Sequence, residues 1–532
     1  MTSTTAGRRY PGVDVAIVGA LVLVLLVGPS LLAARAGALW IPHNDSWAHS
    51  RIAADLAETG ALHLIGFNRA SMVGMMAVLG PLGSSIVAQH VFVMACGTAV
   101  LAFSYATARR VLPRPSATLA TALVGLAPGF ILLSTSYMTD VPMMAGIVAA
   151  LYFGIRFVES GRAWHWLAAL FLGAWSVTVR EQGLAALAAV SLVAWLMRRD
   201  RRLIVVIGSA VALTSLVIFE LWRRSLTGDD PPHVGLNVTY AVRSTVMAVM
   251  SLLFVCAPAL ALAARRPHGP LGWASSGAAA AVGLGLLAVL GPGMLLGNYL
   301  APEGAYIGML HGTRSTVPSP LVWAAALVSI VGLVCLATRL SWTPGARLPR
   351  PSRWTVVPAV LTAFLGLYGA GTFLQTLSGQ AMFERYFFPL IAPVAILALM
   401  GIRLNATRSF LAAAAGAILL LVTSLITAHT WASTGAVWRT AEELVSRGVD
   451  AQDVDAGFAW VGYHSDSSVG ESEARPEVVG SWAGQFADSR QCVIVSQGTP
   501  AVENGHVEVL EYPKYIIGGT DQVVIQALPE CR

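Results

Sequence analysis

The sequence predicts a polytopic α-helical membrane protein that ends in a small α/β domain, and three observations carry that prediction. Of the 532 residues, 56% are hydrophobic and 12% charged, with a mean hydropathy of +0.67; about a quarter of an ordinary soluble chain is charged. Apolar runs of about 20 residues recur, the length that crosses a hydrocarbon core of about 30 Å. After residue 428 these runs stop, and short β-type segments replace them.

The first run, 13–34, follows Arg8 and Arg9 and is succeeded by others, which marks it as an uncleaved signal-anchor. Further runs at 84–108, 116–134, 140–157, 164–179, 183–197, 203–222, 244–264, 271–295, 319–338, 354–375, 386–401 and 409–428 bring the expectation to about thirteen spans. Those at 140–157, 164–179, 183–197 and 386–401 are near or below spanning length, and are expected to extend into their loops or to sit in a thinned region.

With a cytoplasmic N-terminus, the arginine-rich segments fall inside, among them Arg109, Arg110 and Arg114, then Arg198, Arg199, Arg201 and Arg202, then Arg265 and Arg266. An odd number of spans puts the C-terminus outside. The acidic residues show the opposite bias. Asp45, Asp55, Glu58, Asp140, Glu181, Asp229, Asp230, Glu303 and Glu384 lie in outer segments, whereas inner segments before residue 429 carry Asp14, Glu159 and Asp200. Acids weigh little in setting topology, so a working site on the outer face is the economical cause.

The chain divides into a membrane module, 1–428, and an extracytoplasmic domain, 429–532, with a helical start at 437–447. Strand-type runs follow at 457–463, 492–496, 506–510 and 522–525, with an exposed loop at 471–476. Cys96, Cys256 and Cys335 fall in spans, where packing is their expected role, while Cys492 and Cys531 can pair in an oxidising compartment. The pI near 9.2 does not indicate nucleic acid, because the basic residues are spread over loops rather than gathered on one face. No Walker loop, dinucleotide fingerprint or nucleophile elbow is present, which leaves ATP coupling and serine hydrolysis unsupported.

Four motifs fall at the outer ends of separate spans. In Asn44-Asp45-Ser46 the chain turns polar just beyond the first span, and either Asn44 or Asp45 can cap a helix starting near Ser46. On that helix Arg51 and Asp55 share one face, with Ile52 and Leu56 in an apolar stripe. In the 134–142 turn, Thr139 or Asp140 can cap the next helix, with Pro142 in its first turn. Arg180-Glu181-Gln182 joins two apolar helices, where charge is costly unless paired or facing a wet cavity. Glu384-Arg385-Tyr386 opens a late span. Caps, an inter-helix salt bridge and an arginine snorkelling to headgroups are the non-functional readings.

Two carboxylates and two guanidiniums at one membrane face suit chemistry on a phosphorylated lipid. A carboxylate can take a proton from an acceptor hydroxyl or orient a divalent ion, and guanidinium forks hold a departing phosphate. Asp45 and Asp140 are the candidate catalytic acids and the candidate ligands of such an ion, which nothing in the sequence requires.

Taken together, Asn44-Asp45, Thr139-Asp140, Arg180-Glu181-Gln182, Glu384-Arg385-Tyr386 and the small outer domain resemble the GT-C glycosyltransferase superfamily. Within it, the chain resembles the branch of dolichyl-phosphate-mannose protein mannosyltransferases and bacterial aminoarabinose transferases, over about residues 1–428. The resemblance implies a polyprenyl-phosphate-linked sugar donor, an extracytoplasmic glycan, lipid or protein acceptor, inversion at the anomeric carbon, and a cell-membrane location. Asp45 then resembles the first-loop carboxylate, Asp140 the second-loop acid and Arg385 the arginine near the donor phosphate, with Arg180 a weaker match. Asn44, Glu181, Glu384 and Tyr386 stand as supporting residues. The first loop departs from the mannosyltransferase pattern in having Asn44-Asp45 where two acids are usual, which leaves the acceptor open. A secondary transporter and a lipid-linked glycan polymerase or ligase are the alternative readings.

Overall fold

The computed structural model describes residues 11–65, 72–226, 235–264, 266–267, 269–300, 310–312, 317–340, 353–379, 382–402, 404–468, 482–501, 506–513, 515 and 519–528. Arg8, Arg9, Asp229, Asp230, Arg265, Glu303, Cys531 and the predicted loop at 471–476 lie outside them.

The protein is a polytopic α-helical membrane protein. Among the described residues, nine helices are long and apolar enough to cross a bilayer, and a bent pair, Arg114–Gly125 with Pro128–Ser134, brings the number to as many as ten. The 68° bend has a local cause. Pro128 lacks an N–H, and its ring pushes Ala127 into extended geometry at φ −66°, ψ 123°.

The expectation of about thirteen spans is therefore too high. The three runs not counted are the helices Ala163–Val179, Leu184–Met197 and Ile391–Leu399, of 17, 14 and 9 residues. At about 1.5 Å per residue they fall short of a bilayer core of about 30 Å. Hydropathy averages across the breaks that shorten them, at Arg180 and at the 3-10 turn Glu384–Leu390. The same averaging hid a further short apolar segment, Val73–Ser84.

Helix Asp140–Ser160 is the most enclosed of the spanning helices. It packs tightly on Ala163–Val179 because Gly146 faces Ser176, where an added Cβ would stand 2.6 Å from the serine Cβ. Close approach through small residues is the usual means of helix association where no hydrophobic force separates helix from lipid. Among the described residues, side-chain caps start three α-helices: Ser85, Asn237 and Asn405 accept from the amides of Ala88, Tyr240 and Arg408.

The last helix, Ala406–Ser446, has 41 residues and so runs about 60 Å. It continues past residue 428, and the helix expected at 437–447 is its end. A mixed sheet follows, with β1 (His311–Gly312), β2 (Val454–Asp455), β3 (Val493–Gln497), β4 (His506–Pro513) and β5 (Thr520–Ala527). β3 pairs antiparallel with β5 and β5 with β4, while β1 and β2 lie in tandem, both parallel, along the other edge of β3. Cys492 is disulfide-bonded. The run 457–463, expected as a strand, is instead the helix Phe458–His464. Seven residues are too few to distinguish a helical from an alternating apolar pattern.

That helix docks the C-terminal part onto helix Ser46–Thr59. Trp47, fully buried, meets Phe458 and Phe486 edge-on at 5.5 Å, and Arg51 donates to the Gly462 carbonyl at 2.9 Å. Gly462 lies so close that an added Cβ would stand 2.4 Å from the Trp47 ring. A second tie comes from β1, in the connection between Gly269–Leu296 and Ser319–Leu340, where the half-buried His311 lies 2.8 Å from the buried Asp455 carboxylate. Asp455 also accepts from Gln491 and from the Gly457 amide.

Two expectations follow. Gly462→Ala should displace Trp47 and its helix, lowering the unfolding free energy by about 1–3 kcal/mol while the membrane helices keep their helical circular dichroism; unchanged stability would mean the contact is slack. Burial opposes a charge on His311, and Asp455 more than offsets it, raising its pKa above 6.5. A raised pKa stabilises the folded form fully below the unfolded value and loses that contribution as pH rises through the folded one. Hydrogen exchange at β1 should therefore quicken with rising alkalinity beyond the intrinsic base-catalysed trend, and His311→Gln should remove the excess.

Candidate active site

The helix that begins at Ser46 is preceded by a tight turn. Asn44 adopts φ 49°, the only positive φ outside glycine among the described residues, and the left-handed region is one that asparagine tolerates. His43 donates through Nε2 to the Ala38 carbonyl at 2.5 Å, and both the Ser46 amide and its hydroxyl return to the His43 carbonyl. These bonds hold Asp45 in place without using its carboxylate. Asp45 sits at the cap position, yet neither it nor Asn44 makes a side-chain cap bond; likewise Thr139 occupies the cap of Asp140–Ser160 with no such bond. The capping roles expected for these residues are absent: Asp45 and Thr139 give their oxygens to other partners, and Asn44, at positive φ, does not reach the first-turn amides.

Those partners are arginines. Arg385 Nη2 lies 3.2 Å from Asp45 Oδ2, and its Nε is 3.7 Å from Asp140 Oδ1. Arg180 Nη1 donates to the same Asp140 oxygen at 2.9 Å and to Thr139 at 3.2 Å. The result is an alternating row, Asp45, Arg385, Asp140, Arg180, assembled from four separate segments. Asp140 and Arg385 are 4% and 5% exposed, so this is a buried row rather than a surface pair. The salt bridge expected at Arg180 exists, with Asp140 rather than the adjacent Glu181 as partner.

Tyr386 braces both cations. The Arg180 guanidinium stands 4.0 Å from the Tyr386 ring centre, and that of Arg385 lies 5.8 Å from it and 4.9 Å from Phe383. Such contacts are worth about 2 kcal/mol when desolvated. Tyr368 donates to the Tyr386 carbonyl at 2.5 Å and fixes the 3-10 turn Glu384–Leu390. Burial disfavours the Arg385 charge, but Asp140, the tyrosines at 299 and 386, and Asp45 outweigh it and hold its pKa well above the usual value. Arg180 is raised in the same way, against burial, chiefly by Tyr386 and Asp140. Both cations thus remain charged, and the row as a whole is close to neutral.

The other supporting residues divide. Glu384 is turned to the backbone after Leu296: it accepts from the Tyr299 amide at 2.9 Å, and burial raises its pKa. Glu181 is half-buried and makes no ion pair with the row among the described residues. Asn44 keeps a buried Oδ1 without a hydrogen bond, as does Asp140 through Oδ2 and Arg385 through Nε. These unsatisfied polar atoms, gathered at one place, are a feature of sites that take a polar ligand.

A divalent ion does not fit between the carboxylates, because a guanidinium bridges them. Among the described residues no group of three or more His, Cys, Asp or Glu is placed to hold a metal. His49, missed in the sequence, stands at the fourth position after Asp45 and is 4% exposed; its helical spacing from Asp45 was the available signal.

Residues 72–222, which include Asp140 and Arg180, match the family described as dolichyl-phosphate-mannose-protein mannosyltransferase, a distant resemblance over that segment. A solved structure, described as the crystal structure of ArnT from Cupriavidus metallidurans bound to undecaprenyl phosphate, is similar at 12% identity and a TM-score of 0.41, over 98% of this chain and 99% of that chain. A search of curated protein sequences returns no match.

Removing one member of a buried pair leaves an uncompensated charge, at a cost of about 3–5 kcal/mol. Arg180→Met should lower the unfolding free energy in micelles by that order, and adding Asp140→Asn should restore most of it. Equal losses in the single and double variants would mean that the two residues are not coupled.

Proposed function

We propose that the protein is a GT-C-type glycosyltransferase of the cell membrane that moves a sugar from a polyprenyl-phosphate donor to an extracytoplasmic acceptor, with inversion. The observation that carries this reading is the row Asp45, Arg385, Asp140, Arg180 beside the start of helix Ser46–Thr59, on which the C-terminal part docks. The similarity of residues 72–222 to a mannosyltransferase family supports it. In this reading the membrane module, 1–428, binds the lipid, and residues 429–532, outside the membrane, frame the acceptor.

The row defines the chemistry. An arriving donor phosphate competes with Asp45 for Arg385, because a guanidinium fork binds phosphate as readily as carboxylate. Asp45, released from its partner, accepts the proton of the acceptor hydroxyl. The acceptor oxygen forms its bond to the anomeric carbon as the bond from that carbon to the phosphate oxygen breaks, and polyprenyl phosphate leaves with the electron pair. Arg385, with Arg180 behind it, meets the charge that develops on the leaving phosphate. Asp140 holds the two guanidiniums in register. A single displacement with one base inverts the anomeric centre, and no step passes through a metal.

Purified protein in nanodiscs should turn over with polyprenyl monophosphate sugars, screened one by one with envelope extracts as acceptor, and not with nucleotide sugars. Turnover with nucleotide sugars alone rejects the reading. Asp45→Asn should lower kcat by about 10²- to 10⁴-fold, since the amide keeps the shape without a basic lone pair. Asp140→Asn, which loosens both arginines, should keep residual turnover with a raised donor KM. Near-normal rates in Asp45→Asn would remove it as the base.

A further inference from the structure

We propose that His49 is a second proton acceptor of the transfer, taking through Nε2 the proton that the acceptor hydroxyl gives up at Asp45. The inference deepens the glycosyltransferase reading and rests on it. His49 lies on helix Ser46–Thr59, four residues after Asp45, so the two side chains share a face with Cβ atoms about 5–6 Å apart. Its Nδ1 is 3.1 Å from the carbonyl oxygen of Tyr137, in the turn that leads to Asp140. A carbonyl oxygen only accepts, so Nδ1 carries the hydrogen.

The charged groups acting on the ring are Asp45 from its own helix, and Arg180 and Asp140 from the neighbouring segments. Burial dominates them and lowers the pKa to about 4, which leaves the imidazole neutral at neutral pH. A neutral ring with its hydrogen on Nδ1 has its lone pair on Nε2. That nitrogen makes no hydrogen bond among the described residues. The Tyr137 carbonyl thus does for His49 what a second group does for many catalytic imidazoles: it selects the tautomer and aims the ring.

A base that begins each cycle paired with Arg385 must also end it unprotonated. Among the described residues no ion pair joins Asp45 to His49 while Asp45 is held by Arg385; once released and protonated by the acceptor hydroxyl, the Asp45 carboxyl turns along their shared face and passes the proton to Nε2 of His49, directly or through one water, and the imidazolium gives it to water after the glycoside departs. Asp45 is then a carboxylate again and can re-form its pair with Arg385 when polyprenyl phosphate leaves. The donor phosphate itself favours the transfer, because added negative charge beside the ring stabilises the imidazolium.

His49→Asn separates this role from a structural one. The asparagine amide places an N–H where Nδ1–H stands, keeping the bond to Tyr137, and leaves nothing at the Nε2 position. The variant should keep the wild-type Tm and a donor KM within about twofold, lose about 10²-fold in kcat, and regain part of the loss with added imidazole. Wild-type turnover in His49→Asn would mean that His49 only ties two loops together, and the proposal would fall. Nitrogen NMR of histidine-labelled protein gives a readout independent of turnover. The expected result is a hydrogen on Nδ1 with bare Nε2, and an imidazolium fraction that grows when undecaprenyl phosphate is added. A hydrogen on Nε2, or a ring unmoved by bound undecaprenyl phosphate, overturns the assignment. Absence of wild-type turnover with every polyprenyl-phosphate sugar rejects the transferase reading instead, and the NMR result still decides the tautomer and its response.

Discussion

Burying charge is the constraint around which this end of the molecule is built. Two guanidiniums and two carboxylates, Asp140 and Arg385 almost wholly enclosed and Asp45 and Arg180 partly so, are tolerable because they alternate, so that Arg385 and Arg180 share Asp140, Arg385 also reaches Asp45, and each cation faces an aromatic ring. Desolvation of an isolated ion would cost several kcal/mol even after relaxation. The four segments that bring these residues are far apart in the chain and joined by apolar helices, so the helical packing and the charge balance depend on each other. A neutral row is also a poised one. A phosphate that enters must take a guanidinium from a carboxylate, and in the proposed reaction that exchange frees the base only when the donor is in place.

The C-terminal part contributes through position. Its short helix grips Trp47 and Arg51 on the same helix that carries Asp45 and His49, and β3 takes in β1 from a connection between two spanning helices. At its other end that connection presents the Tyr299 amide to Glu384, the neighbour of Arg385. Both contacts fasten backbone beside the row to the C-terminal part, which is how a small domain can set the geometry of a site to which, among the described residues, it lends no charged group.

The membrane character and the four charged motifs were legible because charge at the end of an apolar run is costly and therefore conspicuous. Their partners were not. Arg180 stands beside Glu181 in sequence but pairs with Asp140, and Asp45 meets Arg385 across 340 positions, a match that only folding makes. Asp45 and Asp140 read as helix caps by position, and the structure spends their oxygens on arginines instead. The number of spans was overestimated because hydropathy does not register the extended residue at Arg180 or the 3-10 turn Glu384–Leu390. β1, two residues long, has no pattern to detect, and it exists because β3 offers it an edge.

A structure of the protein with undecaprenyl phosphate in a lipid nanodisc tests the central claim most directly. The account predicts the phosphate within hydrogen-bond distance of Arg385, the Arg385–Asp45 pair opened, and the Arg180–Asp140 pair retained. A phosphate bound elsewhere, with Asp45 still on Arg385, would contradict it.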